Sequence, residues 1–335
     1  MDQQTYTTSS SAEFSVHSES FETVSEYFST HRDDLKWTWV FTLPSWIQSW
    51  WKIFGAGYEP LLLSVRDKDR IMGLAIFKQK NDAVSFLGSA DICDYFDFVV
   101  ARGREEDFFS TLLNHLNSTG VKQLDLRCLR PESVAGEFLI PLARKRGYSV
   151  ECEPDGVSFE VALPETWEDY LQGLSSKQRH EVRRKLRRLY DAGDVRFEVH
   201  GDLHLQTDKV DLFFSLFKES REDKKEFMTP RMADFFKDMI FAMKDILKMG
   251  VLLLDAKVAA VILFFDYNNA YYLYNNGYDT EFSPLSIGVL SKVLAIQHAI
   301  GEKKKTFDFL KGEEVYKSRL GGREISLSRY RIHLE

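Results

Sequence analysis

The densest chemistry in the sequence is cationic. Between Lys177 and Arg188 stand seven Lys or Arg (Lys177, Arg179, Arg183, Arg184, Lys185, Arg187 and Arg188), with Glu181 alone among them to neutralise the cluster. At about 100° per residue this is a helix whose Val182, Leu186 and Leu189, with Leu171 ahead of them, form an apolar stripe. Lys177, His180, Arg183, Arg184, Arg187 and Arg188 gather opposite, and Ser175 or Ser176 is the expected N-cap. Guanidinium forks suit phosphate oxygens, so this face could hold a nucleotide-linked group, a lipid pyrophosphate or a tRNA. A merely solvated face is the bland alternative.

A second candidate is Asp308, a carboxylate inside the apolar run Phe307–Leu310. Such a group must be paired, hydrogen-bonded or line a cleft. As an acid or base it could deprotonate an amine or hydroxyl, its pKa raised by burial. As structure it could pair with Lys311, Lys317 or an arginine of the basic helix. Asp125 holds the same place in LDLRC, which favours a partly structural reason. Third, the run Asp279–Ser286 leads into a helix beginning near Ser286. Its free N–H groups would seat an anion around Ser283, Ser286 and Gly288, or the helix is an ordinary capped one with Pro284 near its start.

Other constellations fail. His200 and His204 lack a glutamate base and a third ligand, and Asp91, Asp94 and Asp97 resemble a metal cluster only loosely, so no metal is expected. No G-x-S-x-G or phosphate-binding Walker loop occurs. The tryptophans of 37–51 fall at helical spacing and read as core.

The elements that must position these residues follow from the rest of the chain. Its 335 residues allow about two domains, and 44% hydrophobic with 14% aromatic content excludes global disorder. Cys93, Cys128 and Cys152 form no framework, no secretory leader is visible, and no apolar run reaches the roughly 18 residues of a membrane span. A cytoplasmic protein without a tightly bound cofactor is expected. Residues 1–30 hold thirteen Ser/Thr and five carboxylates without a Lys or Arg, and read as a solvated tail to about Ser20 followed by a helix start. The net charge of −7 therefore belongs mostly to that segment, and the remainder is near neutral at −2.

Beyond it, an aromatic helix follows Pro44, and strands are expected over 61–65, 71–79, 83–87 and 95–100, then a helix over 105–118 and a strand over 122–128. The second half repeats the order: a helix ending at Gly250, strands over 251–255, 258–266 and 269–278, a helix over 286–300, and a strand over 306–310. PLLLSV aligns with GVLLLD, MGLAIF with AAVILF, and LDLRCL with FDFLKG. The fold class is α+β with a partly antiparallel sheet. The expected division is 1–30 tail, 31–155 first domain and 156–335 second domain.

Three stretches carry a resemblance: TLPSWIQSWWKIFG, LSSKQRHEVRRKLRRL, and the long run from YLYNNGYDTEF to FDFLKGEEVYKSRLG. The order of elements and these stretches resemble the FemAB-like, or CelD-like, acyltransferases, which carry two GNAT domains in tandem, and the likeness spans about Trp37 to Arg331. It implies a tandem duplication of GNAT-like domains, the first degenerate and the second carrying the site. It further implies acyl transfer, acetyl foremost, from acyl-CoA to an amine or hydroxyl of a cell-envelope or exopolysaccharide precursor. Aminoacyl transfer from charged tRNA and a non-catalytic polysaccharide- or nucleic-acid-binding role stay open. The usual acetyl-CoA signature, Q/R-x-x-G-x-G/A, is replaced by Asp279–Gly288, with Leu285 where related chains often have Gly. Asn275 and Asn276 would lie in the strand that presents N–H groups to the thioester carbonyl. Lys311, Tyr316 and Lys317 would lie on the substrate side, with Lys317 as the phosphate or carboxylate contact.

Overall fold

The computed structural model describes residues 14–335. Strand β1 (Phe14–Ser18) and helices α1 (Phe21–His31) and α2 (Pro44–Phe54) lead into the meander β2 (Glu59–Asp67), β3 (Arg70–Lys80) and β4 (Ala83–Phe86). The short β5 (Val99–Val100), α3 (Glu105–Ser118), β6 (Gln123–Leu129), α4 (Ile140–Lys145) and β7 (Ser149–Ala162) complete the first half. The second half opens with α5 (Trp167–Gly173), α6 (Ser176–Asp191) and β8 (Val195–His200), then α7 (Thr207–Ser220), α8 (Glu222–Phe227) and α9 (Pro230–Ala242). The same meander returns as β9 (Leu247–Leu254), β10 (Lys257–Tyr267) and β11 (Ala270–Tyr278), followed by α10 (Ile287–Gly301), β12 (Thr306–Lys311), α11 (Val315–Arg319) and β13 (Arg323–His333).

One sheet runs through both halves in the order β1-β2-β3-β4-β6-β13-β7-β12-β11-β10-β9-β8, with β5 beside β3. Read from either end the order is the same: hairpin, third strand, then a parallel neighbour, β6 beside β4 and β12 beside β11. The duplication is therefore carried by topology, with β2, β3 and β6 matching β9, β10 and β12 as the aligned sequence segments require. The centre breaks the repeat. β7 ends the first half yet pairs with β12, while β13 ends the second half yet pairs with β6, and the two pair with each other. Each half is closed by the other half's last strand.

Because the halves share a sheet, they share a core. Trp46 on α2 packs edge-on against Phe235 of α9, Phe265 of β10 and Tyr274 of β11 at 5.4–5.9 Å, so the tryptophan-rich helix is interior. A second apolar cluster lies in the second half, where Val182 and Leu189 of α6 and Leu290, Val293 and Leu294 of α10 meet the sheet.

Several sequence expectations are corrected here. The segment before Ser20 is not all tail: Phe14–Ser18 pairs antiparallel with β2, Val16 opposite Val65, because Phe14 and Val16 have apolar surface to cover. The expected tail residues 1–13 lie outside the described residues. The helix expected to reach Gly250 stops at Ala242, since Leu247, Met249 and Val251 alternate inward as a strand. Of the run 95–100, only Val99–Val100 pairs. Leu171 belongs to α5 rather than to the basic helix. The boundary expected at 155/156 falls inside β7.

Candidate active site

β11 and β12 remain paired only over Ala270–Tyr272 with Thr306–Asp308, then diverge. Beyond Tyr272, β11 has no strand on that side among the described residues. On its other edge β11 is bulged: Leu273 faces Phe264 and Asn275 faces Leu263, leaving Tyr274 as the extra residue. After β11 a 3-10 turn (Thr280–Leu285) and Ser286, with left-handed backbone at φ 59°, swing the chain into α10. The first N–H groups of α10 have no intrahelical partner, so its opening turn is electropositive.

A cavity of about 370 Å³ lies between the bulged strand and this turn. Five sequence candidates line it: Asn276, Ser283, Ser286, Gly288 and Tyr316. Asn275 lies outside it. The cavity also holds Arg221, Lys224, Lys292 and Glu314, which the sequence reading did not single out. Lys224 donates to the Asn276 carbonyl at 2.5 Å, and burial, then Arg221, pushes its ammonium down to about 8. Lys292 is 4% exposed and donates to the Gly288 carbonyl at 2.6 Å; burial, then Lys224, holds it well below the usual lysine range. A signal for Lys292 existed: it is the lone charge in the helical run IGVLSKVLAIQ, the same pattern that drew attention to Asp308. Nothing local marks Lys224.

The matching place in the first half is different. α3 opens with Glu105, Glu106 and Asp107, which answer the helix dipole themselves and repel an anion. The cationic cavity belongs to the second half.

A larger cavity, about 970 Å³, lies between α6, α10 and the end of α11. Val182, Leu290, Val293 and Leu320 give it apolar walls, and Lys177, Lys185 and Arg319 border it with His180 and Glu181. Val289 and Tyr316 line both cavities, so the two are neighbours. Ser175 is the N-cap of α6 and forms a capping box with Gln178. The cationic face is better neutralised than the sequence implied, because α5 folds back and places Glu168 2.5 Å from Arg183. Arg184 pairs with Glu181 at 2.8 Å, and Arg179 and Arg188 donate to the Gln172 and Pro284 carbonyls. Arg187 meets no carboxylate among the described residues.

Asp308 is not in either cavity. It is 1% exposed, accepting from the Tyr95 hydroxyl at 2.8 Å and from the Leu310 N–H at 2.7 Å, with Arg130 3.5 Å away. Burial raises its carboxyl to about 7 against the pull of Arg130. Its side-chain partners are thus first-half residues, not Lys311, Lys317 or the basic helix. Asp125 mirrors it, held by both arms of Arg329 on β13 at 2.6 and 2.7 Å. Lys317 is also enclosed, its ammonium shared among the Leu310 and Lys311 carbonyls and Glu314, so it braces the turn after β12. Lys311 points to the first half, 3.3 Å from the Cys128 sulfur. Asp97 accepts from the N–H groups of Phe98, Val134 and Ala135, and Asp94 from that of Lys311. Among the described residues no cluster suited to a metal occurs. No described helix is long and apolar enough to cross a membrane.

Residues 176–318 match the sequence model of the acetyltransferase (GNAT) domain family, a span from α6 into α11 that contains the smaller cavity and all of the larger one's lining but Ser175, Arg319 and Leu320. Among solved structures, FemX superposes with a TM-score of 0.61 at 10% identity, covering 94% of this chain and 96% of its own. A conserved protein of unknown function from Bacteroides thetaiotaomicron gives 0.60 at 12% identity, over 96% of this chain and all of the other. L-PGS from Bacillus licheniformis gives 0.52 at 11% identity, over 86% and 90%. No curated protein matches the chain in sequence. At these identities the likeness is one of fold.

Proposed function

We propose that the protein is an acyltransferase of the GNAT superfamily whose second half moves an acyl group, acetyl foremost, from acyl-CoA to an amine or hydroxyl. The observation that carries this reading is the cavity at the start of α10, where Arg221, Lys224 and Lys292 surround an electropositive helix terminus next to a bulged strand whose one edge is unpaired beyond Tyr272 among the described residues. Diphosphate of the donor would lie against the opening turn at Ser286 and Gly288. The thioester would follow the gap between β11 and β12, where free strand N–H groups can hold the carbonyl oxygen as it gains charge. The acceptor nitrogen or oxygen forms the new bond to the acyl carbon, the C–S bond breaks with its electron pair on the CoA sulfur, and the proton lost by the acceptor, passed through solvent, leaves that thiolate as the free thiol. No covalent adduct with the chain is needed, and positioning of the two substrates supplies the rate.

The larger cavity is the acceptor's seat in this reading, because it shares Val289 and Tyr316 with the donor cavity. Its apolar walls and cationic border suit a phosphate-bearing or saccharide precursor of the cell envelope or an exopolysaccharide, with Lys177 and Lys185 as the cations of the basic helix that line it. Isothermal titration with acetyl-CoA, a longer acyl-CoA and a charged tRNA tests the donor. Micromolar binding of an acyl-CoA, lost in Gly288→Val, supports the reading. Binding of charged tRNA alone replaces it with aminoacyl transfer, and binding of none leaves a non-catalytic role.

A further inference from the structure

Lys292 stands where an ammonium is poorly served. It is 4% exposed, and Leu290, Val293 and Leu294 beside it are buried. Helical side chains lean toward the N-terminus. Its nitrogen accordingly reaches back to the Gly288 carbonyl, beside an opening turn that is already positive. The groups facing it from neighbouring elements are Lys224 on α8, Arg221 just before it, and Tyr316 and Lys317 on α11. Glu314 is the one carboxylate there, and Lys317 takes it at 3.0 Å. An ammonium carries three donors; Lys292 has one carbonyl and the face of the Tyr316 ring, its nitrogen 5.2 Å from the centroid. A neutral amine fits this place, donating one N–H and turning its lone pair to the cavity.

We propose that Lys292 is uncharged in the empty cavity and takes up a proton when a phosphate group enters, so that ligand binding draws about one proton from solvent. The phosphate supplies the missing countercharge, and in a dry cavity that attraction outweighs the repulsion from Lys224 and Arg221. The inference rests on the donor cavity described above but requires only that the ligand bear phosphate. Log affinity then falls by about one per pH unit wherever the free amine is neutral and the bound one charged.

Calorimetric titration of the full chain with CoA at pH 7.5, in buffers of different ionisation enthalpy, reads the proton count directly. Wild type is expected to take up about one proton more than Lys292→Met, whose side chain suits an apolar site. Lys292→Arg, charged in both states, is expected to bind without that uptake. CoA binding with no proton uptake by wild type overturns the inference and leaves the acyl-CoA reading standing. If CoA does not bind, inorganic diphosphate is the probe. Uptake with diphosphate keeps the inference and removes the acyl-CoA reading, whereas no binding of either removes both.

Discussion

Tyr95 donates its hydroxyl to Asp308 across 2.8 Å, and the two residues come from opposite halves of the chain. Arg130 completes the joint, lying over the rings of Trp39 and Tyr95 at 5.0 and 4.9 Å and bonding Glu160 at 2.7 Å. Removing that cation leaves Asp308 buried without a countercharge, while Glu160 keeps Arg323 at 2.8 Å. Arg130→Met is expected to lose about 3–5 kcal/mol of stability, read by chemical denaturation. A loss below about 1 kcal/mol would show that the halves are held elsewhere.

The same joint sets a pH dependence. Asp308 has a folded value of about 7 against an ordinary one of 3.8, so between these the folded chain binds a proton that the unfolded chain does not. The contribution of this group to stability therefore falls as pH rises from about 4 to 7 and levels off above. Asp94, raised to about 6 mainly by burial, acts in the same direction. Asp308→Asn should flatten the denaturation midpoint across that window, and an unchanged slope would mean the carboxyl is already ionised throughout.

A separate outcome concerns catalysis. A general base contributes about a hundredfold or more. Since Asp308 is enclosed by Tyr95, Leu310 and Arg130, Asp308→Asn is expected to change kcat by less than about tenfold at 25 °C, measured by thiol release from acetyl-CoA. A larger fall in a folded variant would return Asp308 to the chemistry.

Gly277 is a place where β11 rests on a helix backbone. A Cβ there would lie 2.4 Å from the Phe217 nitrogen and 2.5 Å from the Leu216 carbonyl carbon, atoms that cannot step aside. Gly277→Ala is expected to cost about 1–3 kcal/mol and to weaken CoA binding by displacing Asn276. Thermal unfolding and CoA titration check both, and wild-type values would mean that α7 slides freely over the strand.

The basic helix makes a graded prediction. Lys177→Ala with Lys185→Ala should raise KM for a phosphate-bearing saccharide acceptor by about tenfold at low salt, with the difference shrinking above about 0.5 M salt. Arg184→Ala removes a cation already paired with Glu181 at the surface and should change KM by less than about twofold. Equal effects of the two variants would mean a diffuse field rather than a seat.

How much was legible follows from range. The meanders, α3, α10 and the aligned aspartates were visible because alternation and helical spacing are local, and for the same reason the cap of α6 was narrowed to Ser175 or Ser176, of which the structure uses Ser175. The start of α10 was also visible, since Ser283, Ser286 and Gly288 lie close together in sequence just where the apolar helical run begins. Tyr95 and Arg130 were not legible as partners of Asp308, because 213 and 178 residues separate them in sequence. Glu168 was missed as a partner of Arg183 because it arrives on a helix that folds back, and Lys224 because α8 carries no pattern of its own. The crossing of β7 and β13 left no trace either, as both alternate equally well in any register.

That crossing has a consequence for synthesis. A ribosome delivers β6 long before β13, so its edge waits through nearly two hundred residues of further chain. The first half cannot mature as it emerges, and an exposed strand edge invites foreign pairing in the interval. A chain stopped after Gly322 would be a trap rather than a smaller enzyme: it should aggregate, while adding the missing strand as a peptide should rescue soluble protein. The repeat records an ancestor made of two like units, yet the descendant is born as one.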